Sequence, residues 1–354
     1  MRMQLARSFF IAAAILLLAC VAQAAPPVGV RAVQRVNSYI DNDGNRVLTP
    51  LTAVEVDANE NLTVRAQVAY DVMTCASVDV ISAATPKGYF EEVRQEYDAG
   101  VDVRMGTWTL SAGGVYSLEN DYSSHSLSLG LSTELLQRNL TVALGYGFTD
   151  SDVGRASDTL FDRDLDSHVF TATLTQVLSP KLIMQVGYFL GALQGYQSSP
   201  YRMVSLVSGA SSPESTPDER IRHAVVLGIK NALASTAFLS ANYRYYLDTW
   251  GLDSHSAELA FEHQALPWFR WRVRNRIYFQ SAVDFYRSQY VIPLRYMSAD
   301  RELGAFFSDM SGIKLIFTPG FFETTQLSFD LKADFTWSRF EDYPKLPERS
   351  MWVT

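Results

Sequence analysis

Cysteine is almost absent: Cys20 and Cys75 are the only two in 354 residues. That excludes a disulfide-dense scaffold. Charge is sparse at 19%, and basic residues are not in excess, since 30 Lys and Arg stand against 38 Asp and Glu for a formal net charge of −8. A nucleic-acid binder needs a basic footprint, so that class is excluded. Beyond the first two dozen residues there is also no apolar run able to cross a bilayer as a helix, which takes about 20 residues. The longest uncharged stretch, 182–201, is interrupted by Gln185, Gly187 and Gly191, and its apolar part ends near Leu193. What the chain does have is 47% hydrophobic residues, with 18 Tyr, 20 Phe and 6 Trp. A disordered polar chain lacks the apolar surface to offset its ordering entropy, and this composition excludes one.

Residues 1–24 read as an export signal. Arg2 and Arg7 form a positive head, Ser8 to Val21 is uncharged and mostly apolar, and Ala22-Gln23-Ala24 is a small-x-small cleavage site. Within it, Leu17-Leu18-Ala19-Cys20 competes as a lipid-anchoring box, although Leu18 fits that pattern poorly. Cleavage after Ala24 leaves 25–354 as one domain, with Cys75 its only thiol.

In that domain apolar residues recur with period two. Leu62, Val64, Ala66, Val68, Tyr70 and Val72 alternate with polar neighbours, and so do Trp108 to Leu118, Leu140 to Phe148, Leu182 to Leu190, Phe269 to Phe279 and Leu327 to Trp337. Such alternation makes strands with one apolar and one polar face. The stretches run about 10–13 residues, which suits tilted membrane-spanning strands of about 9–11 residues better than globular strands of about 5–6. Short turns fall near 58–61, 105–107, 136–139, 178–180, 231–235, 265–267 and 318–320. Longer polar loops fall near 73–90, 150–164, 194–219 and 281–300. Short turns at one end and long loops at the other predict an all-β, antiparallel, up-and-down transmembrane barrel with periplasmic turns and extracellular loops. A soluble β-sandwich would show shorter strands without that asymmetry. The pattern yields fifteen strands, the last three at 268–280, 301–317 and 321–338. Barrels of this kind have an even number, so either a stunted sixteenth lies at 350–354, the chain is truncated relative to its relatives, or the count is off by one.

Several constellations bear on chemistry. Arg270, Arg272, Arg274 and Arg276 share one strand face. Facing lipid at the midplane they would cost about 2–4 kcal/mol each, so they must face the lumen. Glu258 and Glu262 lie on the inward face of the preceding strand, and Glu92, Glu96, Asp98 and Asp102 lie elsewhere on the wall. The ladder reads either as the lining of an anion-selective pore or as part of an internally neutralised lumen. His125, His168, His223 and His255 share parity with lipid-facing residues near the loop-side ends of every second strand. That spacing is too wide for one metal ion, and an interfacial girdle is the reading that remains. The aspartates at 150, 152, 158, 162, 164 and 166 read as a solvated acidic loop, and Asp41-Asn42-Asp43-Gly44-Asn45 as a hairpin turn. Ser124 and His125, like Ser254 and His255, are adjacent and so point to opposite faces. Neither forms a catalytic pair, and the expectation is of no enzyme activity, cofactor or metal.

The chain resembles a family of uncharacterised proteobacterial outer-membrane barrel proteins, catalogued as a domain of unknown function. The resemblance rests on Ser82-Ala83-Ala84-Thr85-Pro86, on Ser111-Ala112-Gly113-Gly114 with Glu119-Asn120-Asp121-Tyr122, and on residues 195–202 (GYQSSPYR). It continues through Pro217-Asp218-Glu219-Arg220, Asp248-Thr249-Trp250-Gly251, Gln280-Ser281-Ala282 with Asp284-Phe285-Tyr286, and 298–304 (SADRELG). It extends to about residue 340 and implies no activity or cofactor. Together these readings predict a porin-like passive channel in the cell outer membrane for small polar or anionic solutes. The alternative is a non-conducting scaffold or partner-binding barrel. The expected partners are outer-membrane lipid and lipopolysaccharide, the barrel assembly machinery and an envelope protein.

Overall fold

The computed structural model describes residues 29–75, 90–156, 158–319 and 327–354. The expected signal, the Ser82–Pro86 motif and the side chains of Cys75 and Glu92 lie outside the described set. Alternation persists far enough in each stretch to make long strands. These are β1 (Gly29–Asp41), β2 (Arg46–Asn59), β3 (Leu62–Cys75), β4 (Phe90–Met105), β5 (Trp108–Leu118), β6 (Tyr122–Leu135), β7 (Leu140–Val153), β8 (Arg163–Ser179) and β9 (Leu182–Gly195). The remainder are β10 (Met203–Ser205), β11 (Ser211–Pro213), β12 (Glu219–Ala234), β13 (Ala237–Asp248), β14 (Asp253–Leu266), β15 (Phe269–Gln280), β16 (Phe306–Phe317), β17 (Phe329–Phe340) and β18 (Glu348–Val353). Sixteen of them close a barrel in chain order, with β9 beside β12 and β18 returning to β1. The two short strands β10 and β11 form a separate hairpin inside the β9–β12 connection.

The barrel is antiparallel throughout, and its register fixes the faces. One face carries Val273, Ile313, Leu331, Leu259 and Trp352, all exposed, as a lipid-facing wall requires. The other carries the charged ladders and is the lumen. The outward wall is not wholly apolar: Asn275 interrupts the β15 series, and its Nδ2 donates to Asp309 Oδ1 and Ser311 Oγ at 3.1 Å.

The sixteenth strand is present and short. β18 pairs with β17 from Asp334 to Arg339 and with β1 only from Tyr39 to Asp41. Three boundaries differ from the sequence reading. β16 starts at Phe306 because 281–305 folds into a compact connection, with a 3₁₀ turn at Arg301–Leu303 capped by the Asp300 side chain. β17 starts at Phe329 rather than at 321. Finally, Asp150, Asp152, Asp164 and Asp166 are not loop residues. They lie on β7 and β8, directly paired as Asp150 with Asp166 and Asp152 with Asp164, because the alternation continues past the apolar belt.

At the long-loop end the connections consolidate into a cap. Val204 and Leu206 from the β10 region pack with Tyr290 and Met297 of the β15–β16 connection as a buried apolar cluster. Trp250, Leu252, Val283 and Tyr286 form a second. Polar contacts tie them together: Arg202 to Asp300 at 2.5 Å, Ser298 Oγ to Glu214 Oε1 at 2.5 Å, and buried Arg301 to Asp43 of the β1–β2 turn. The Tyr201 hydroxyl accepts from Ala156 N at 2.7 Å, which links the β7–β8 loop to the same body. The cap unites loops from around the rim.

Candidate lumenal site

The lumen wall from β14 to β17 is built around the arginine ladder. Register places Arg272 beside Glu262 and Arg276 beside Glu258 on β14, and Arg272 beside Lys314 and Arg274 beside Gly312 on β16. Arg270 reaches Glu262 at 3.4 Å, while Glu258 receives Arg272 at 3.5 Å and Arg274 at 3.4 Å. The strongest contact skips a strand. Arg274 passes over Gly312 to hold the Asp334 carboxylate of β17 through Nε at 3.1 Å and Nη2 at 2.6 Å. Lys332 Nζ reaches the same carboxylate at 2.6 Å. A Cβ at Gly312 would collide with Asp334 Oδ1, so glycine is what lets the fork cross. Lys314 holds Asp330 at 2.6 Å.

Two cations on this side have no ion pair among the described residues: Arg276, exposed toward the lumen, and Arg35 of β1. With Arg272, Arg274, Lys314 and Lys332, Arg35 lines a cavity of about 320 Å³. The far wall has the opposite bias. β4 lies seven places from β15 around the sixteen-strand ring. Its Glu96 and Asp98 face inward, half-buried, with Asp71 and Asp102 on the same wall. Arg94 binds Asp71 at 2.8 Å and lies 3.6 Å from Glu96, and Arg65 forks onto Asp102. Asp98 makes no ion pair among the described residues. The ladder is therefore neutralised in part, with its surplus positive charge facing an acidic wall.

The four histidines lie on the outward face toward the long-loop end. Each meets a tyrosine from the preceding strand. His168 Nδ1 is 2.9 Å from Tyr146 Oη, His223 Nδ1 2.8 Å from Tyr188 Oη, and His255 Nδ1 2.6 Å from Tyr243 Oη. His125 stacks on Tyr116 with centroids 4.8 Å apart. Sequence reasoning found the histidines but missed their partners: Tyr116 stands directly across from His125, and the other three tyrosines sit diagonally across their strand pairs. The signal was an outward-parity tyrosine on every strand preceding a histidine strand. Ser124 and Ser254 point into the lumen, away from the adjacent histidines. Asp334, the keystone of the ladder, was missed because its partner lies two strands away.

A family model described as "Protein of unknown function (DUF3570)" matches residues 63–332. The chain belongs to that family. No curated protein sequence matches it. Among solved structures, this DUF3570 barrel is similar to a bacterial polysaccharide outer membrane secretin, with a TM-score of 0.50 at 10% identity, over 91% of this chain and 95% of that one. The siderophore receptor PirA from Pseudomonas aeruginosa gives 0.48 at 10% identity over 89% of this chain, which spans 57% of the receptor's length. OccK3 (OpdO) from Pseudomonas aeruginosa gives 0.45 at 11% identity, over 92% and 94% of the two chains. At such identities the secretin likeness establishes the outer-membrane barrel fold and carries no statement about cargo.

Proposed function

We propose that the DUF3570 barrel resides in the outer membrane, long loops outward, and passes small polar solutes with a preference for anions. The observation that carries this reading is the pair of uncompensated cations, Arg276 and Arg35, on a basic wall facing Glu96 and Asp98. Charged rings set ion selectivity in pores, and a basic wall opposite an acidic one orients a dipolar solute as it passes. The Tyr–His belt suits the headgroup level of lipid and lipopolysaccharide, where amphipathic rings collect. Insertion would depend on the envelope's barrel assembly machinery.

Planar-bilayer recording of the purified full chain tests the proposal. Discrete conductance steps with anion preference are expected, and Arg276→Glu should bring the anion-to-cation permeability ratio to unity or below. The cap favours a second reading, a non-conducting barrel that presents its packed loops to an envelope protein. A silent bilayer with correctly folded barrel would sink the channel and leave that reading standing.

A further inference from the structure

The four tyrosine–histidine pairs stand at one height on the outer wall. Around the ring they occupy eight neighbouring strands, from Tyr116 on β5 to His255 on β14. His125 pairs with Asp150 of β7, and His168 pairs with Phe148 of the same strand, two residues nearer the short turns. The same slip recurs on β9, from Ala192 opposite His168 to Leu190 opposite His223. It recurs again on β13, from Leu247 opposite His223 to Tyr245 opposite His255. Each step crosses two strands, about 9.6 Å, and slips two residues, about 6.8 Å. Strands tilted about 35° make such a step level, and membrane barrels tilt by about 35–45°. The strand ends agree with that level. Leu135, Ser179, Ala234 and Leu266, at the short turns, each lie ten or eleven residues beyond their histidine. At about 3.4 Å per residue along that tilt, the row stands about 30 Å above the turns, just past an apolar band of about 25 Å. One further step leads to Asp309 opposite Ile277, held by Asn275 at 3.1 Å, so that polar breach of the wall falls on the same level.

Three of these histidines have their tautomer set by a tyrosine. The hydroxyls of Tyr146, Tyr188 and Tyr243 meet His168, His223 and His255 at Nδ1, and have no other hydrogen-bond partner among the described residues. Each tyrosine lies two residues turnward of its histidine's register partner, inside the apolar band. A phenol accepting from Nδ1–H there would leave its own proton without an acceptor, which is costly. The hydroxyl therefore donates, Nδ1 accepts, and the ring proton sits on Nε2. A row spanning half the circumference is too broad for one neighbouring barrel to cover, whereas lipid surrounds all of it. Carboxylates disfavour the lipid's phosphate at this height. Asp150 faces His125, Asp166 lies two residues loopward of His168 on the same face, and Asp253 Oδ2 stands 3.8 Å from His255 Nε2, beyond hydrogen-bond reach. We propose that His168, His223 and His255 donate Nε2–H hydrogen bonds to the uncharged acyl carbonyl oxygens, ester or amide, of outer-leaflet lipid. Those carbonyls join acyl chains to headgroup at the edge of the apolar band, the height of the row. The inference rests on the outer-membrane reading and fixes how deep the barrel sits.

The test is magic-angle-spinning NMR on the full chain with isotope-labelled histidine nitrogens, in vesicles of dimyristoylphosphatidylcholine isotope-labelled at the ester carbonyl carbons. Nε2–H tautomers are expected at the three histidines, with magnetisation transfer from each Nε2 to the lipid carbonyl carbon and none to phosphorus. His168→Gln, His223→Gln and His255→Gln, one at a time, assign the signals by the loss of one each. Tyr188→Phe should release the His223 tautomer and lower its transfer at least twofold, while His168 and His255 keep theirs. Nδ1–H tautomers, transfer to phosphorus, or no carbonyl transfer in a barrel shown to be folded by heat-modifiable gel mobility would overturn the proposal. So would transfer from Nε2 to a second, carbon-labelled barrel mixed into the same vesicles, which would give the row to a neighbouring copy. None of these outcomes depends on whether the lumen conducts, and outer-membrane residence is read separately by cell fractionation.

Discussion

Gly312→Ala is the sharpest perturbation of the ladder, because it replaces no charged residue. The added methyl would occupy the place of Asp334 Oδ1 and lie 3.3 Å from Arg274 Cγ. The carboxylate must swing away, and both Arg274–Asp334 bonds, at 3.1 and 2.6 Å, are lost. Charge-assisted bonds contribute about 1.5–3 kcal/mol each, and leaving a buried charge unpaired costs about 3–5 kcal/mol. Both figures need discounting. The Arg274 side chain remains 23% exposed and keeps Glu258 at 3.4 Å, while Lys332 can follow the displaced carboxylate. A loss of about 2–3 kcal/mol remains. Urea unfolding in lipid vesicles, followed by tryptophan fluorescence, measures it. The decisive comparison is a double-mutant cycle with Asp334→Ala. If the clash is with the carboxylate, Gly312→Ala should cost less than about 0.5 kcal/mol once Asp334 is gone. An equal cost in both backgrounds would refute the steric argument.

Other outcomes follow from the cap, the belt and one turn. The Tyr290 hydroxyl accepts from Ser298 N at 2.9 Å and donates to the Phe285 carbonyl, and burial pushes its phenol up from the ordinary value of 10. A raised acid favours the folded cap fully below pH 10, and that contribution is lost as pH rises from there through the folded value. Protease cleavage within 281–305 should therefore accelerate above pH 10, and Tyr290→Phe should flatten that dependence while costing about 1 kcal/mol at neutral pH. Asp43→Ala removes a buried acceptor from Arg301 and should speed hydrogen exchange at both 42–45 and 281–305; a change confined to the β1–β2 turn would contradict the cross-rim tie. In the β6–β7 turn, Leu136, Gln137 and Arg138 all hold left-handed backbone, with φ of 50°, 54° and 69°. Gln137→Gly should stabilise the barrel by about 1 kcal/mol in the same urea assay.

The barrel was legible in sequence because its constraint is local. Each wall residue faces either lipid or lumen, so Val273, Arg274 and Asn275 could be assigned by parity alone, and strand length gave the bilayer. The cap obeys no period. Val204, Leu206, Tyr290 and Met297 form its core from two connections more than 80 residues apart, and nothing in either segment announces the other. For the same reason β16 was drawn five residues too early: Leu303 and its neighbours look like strand but are cap. The aspartates at 150, 152, 164 and 166 erred in the opposite direction, since polarity suggested a loop where alternation was still running. Asp334 was invisible for a third reason. Parity places it on the inward face, but the Arg274 contact depends on a missing side chain at Gly312, and a glycine in mid-strand was the one available hint.

The ladder's arithmetic bears on what the lumen's polarity means. Asp334 answers Arg274 and Asp330 answers Lys314, while Glu258, the register partner of Arg276, is taken by Arg272 and Arg274 instead. Three arginines thus share one carboxylate, and Arg276 is the one left over. On the permeation reading a mobile anion answers it, so Arg276→Glu should change ion selectivity and leave urea stability nearly unchanged. A barrel in which that substitution acts only on stability would make the surplus charge structural.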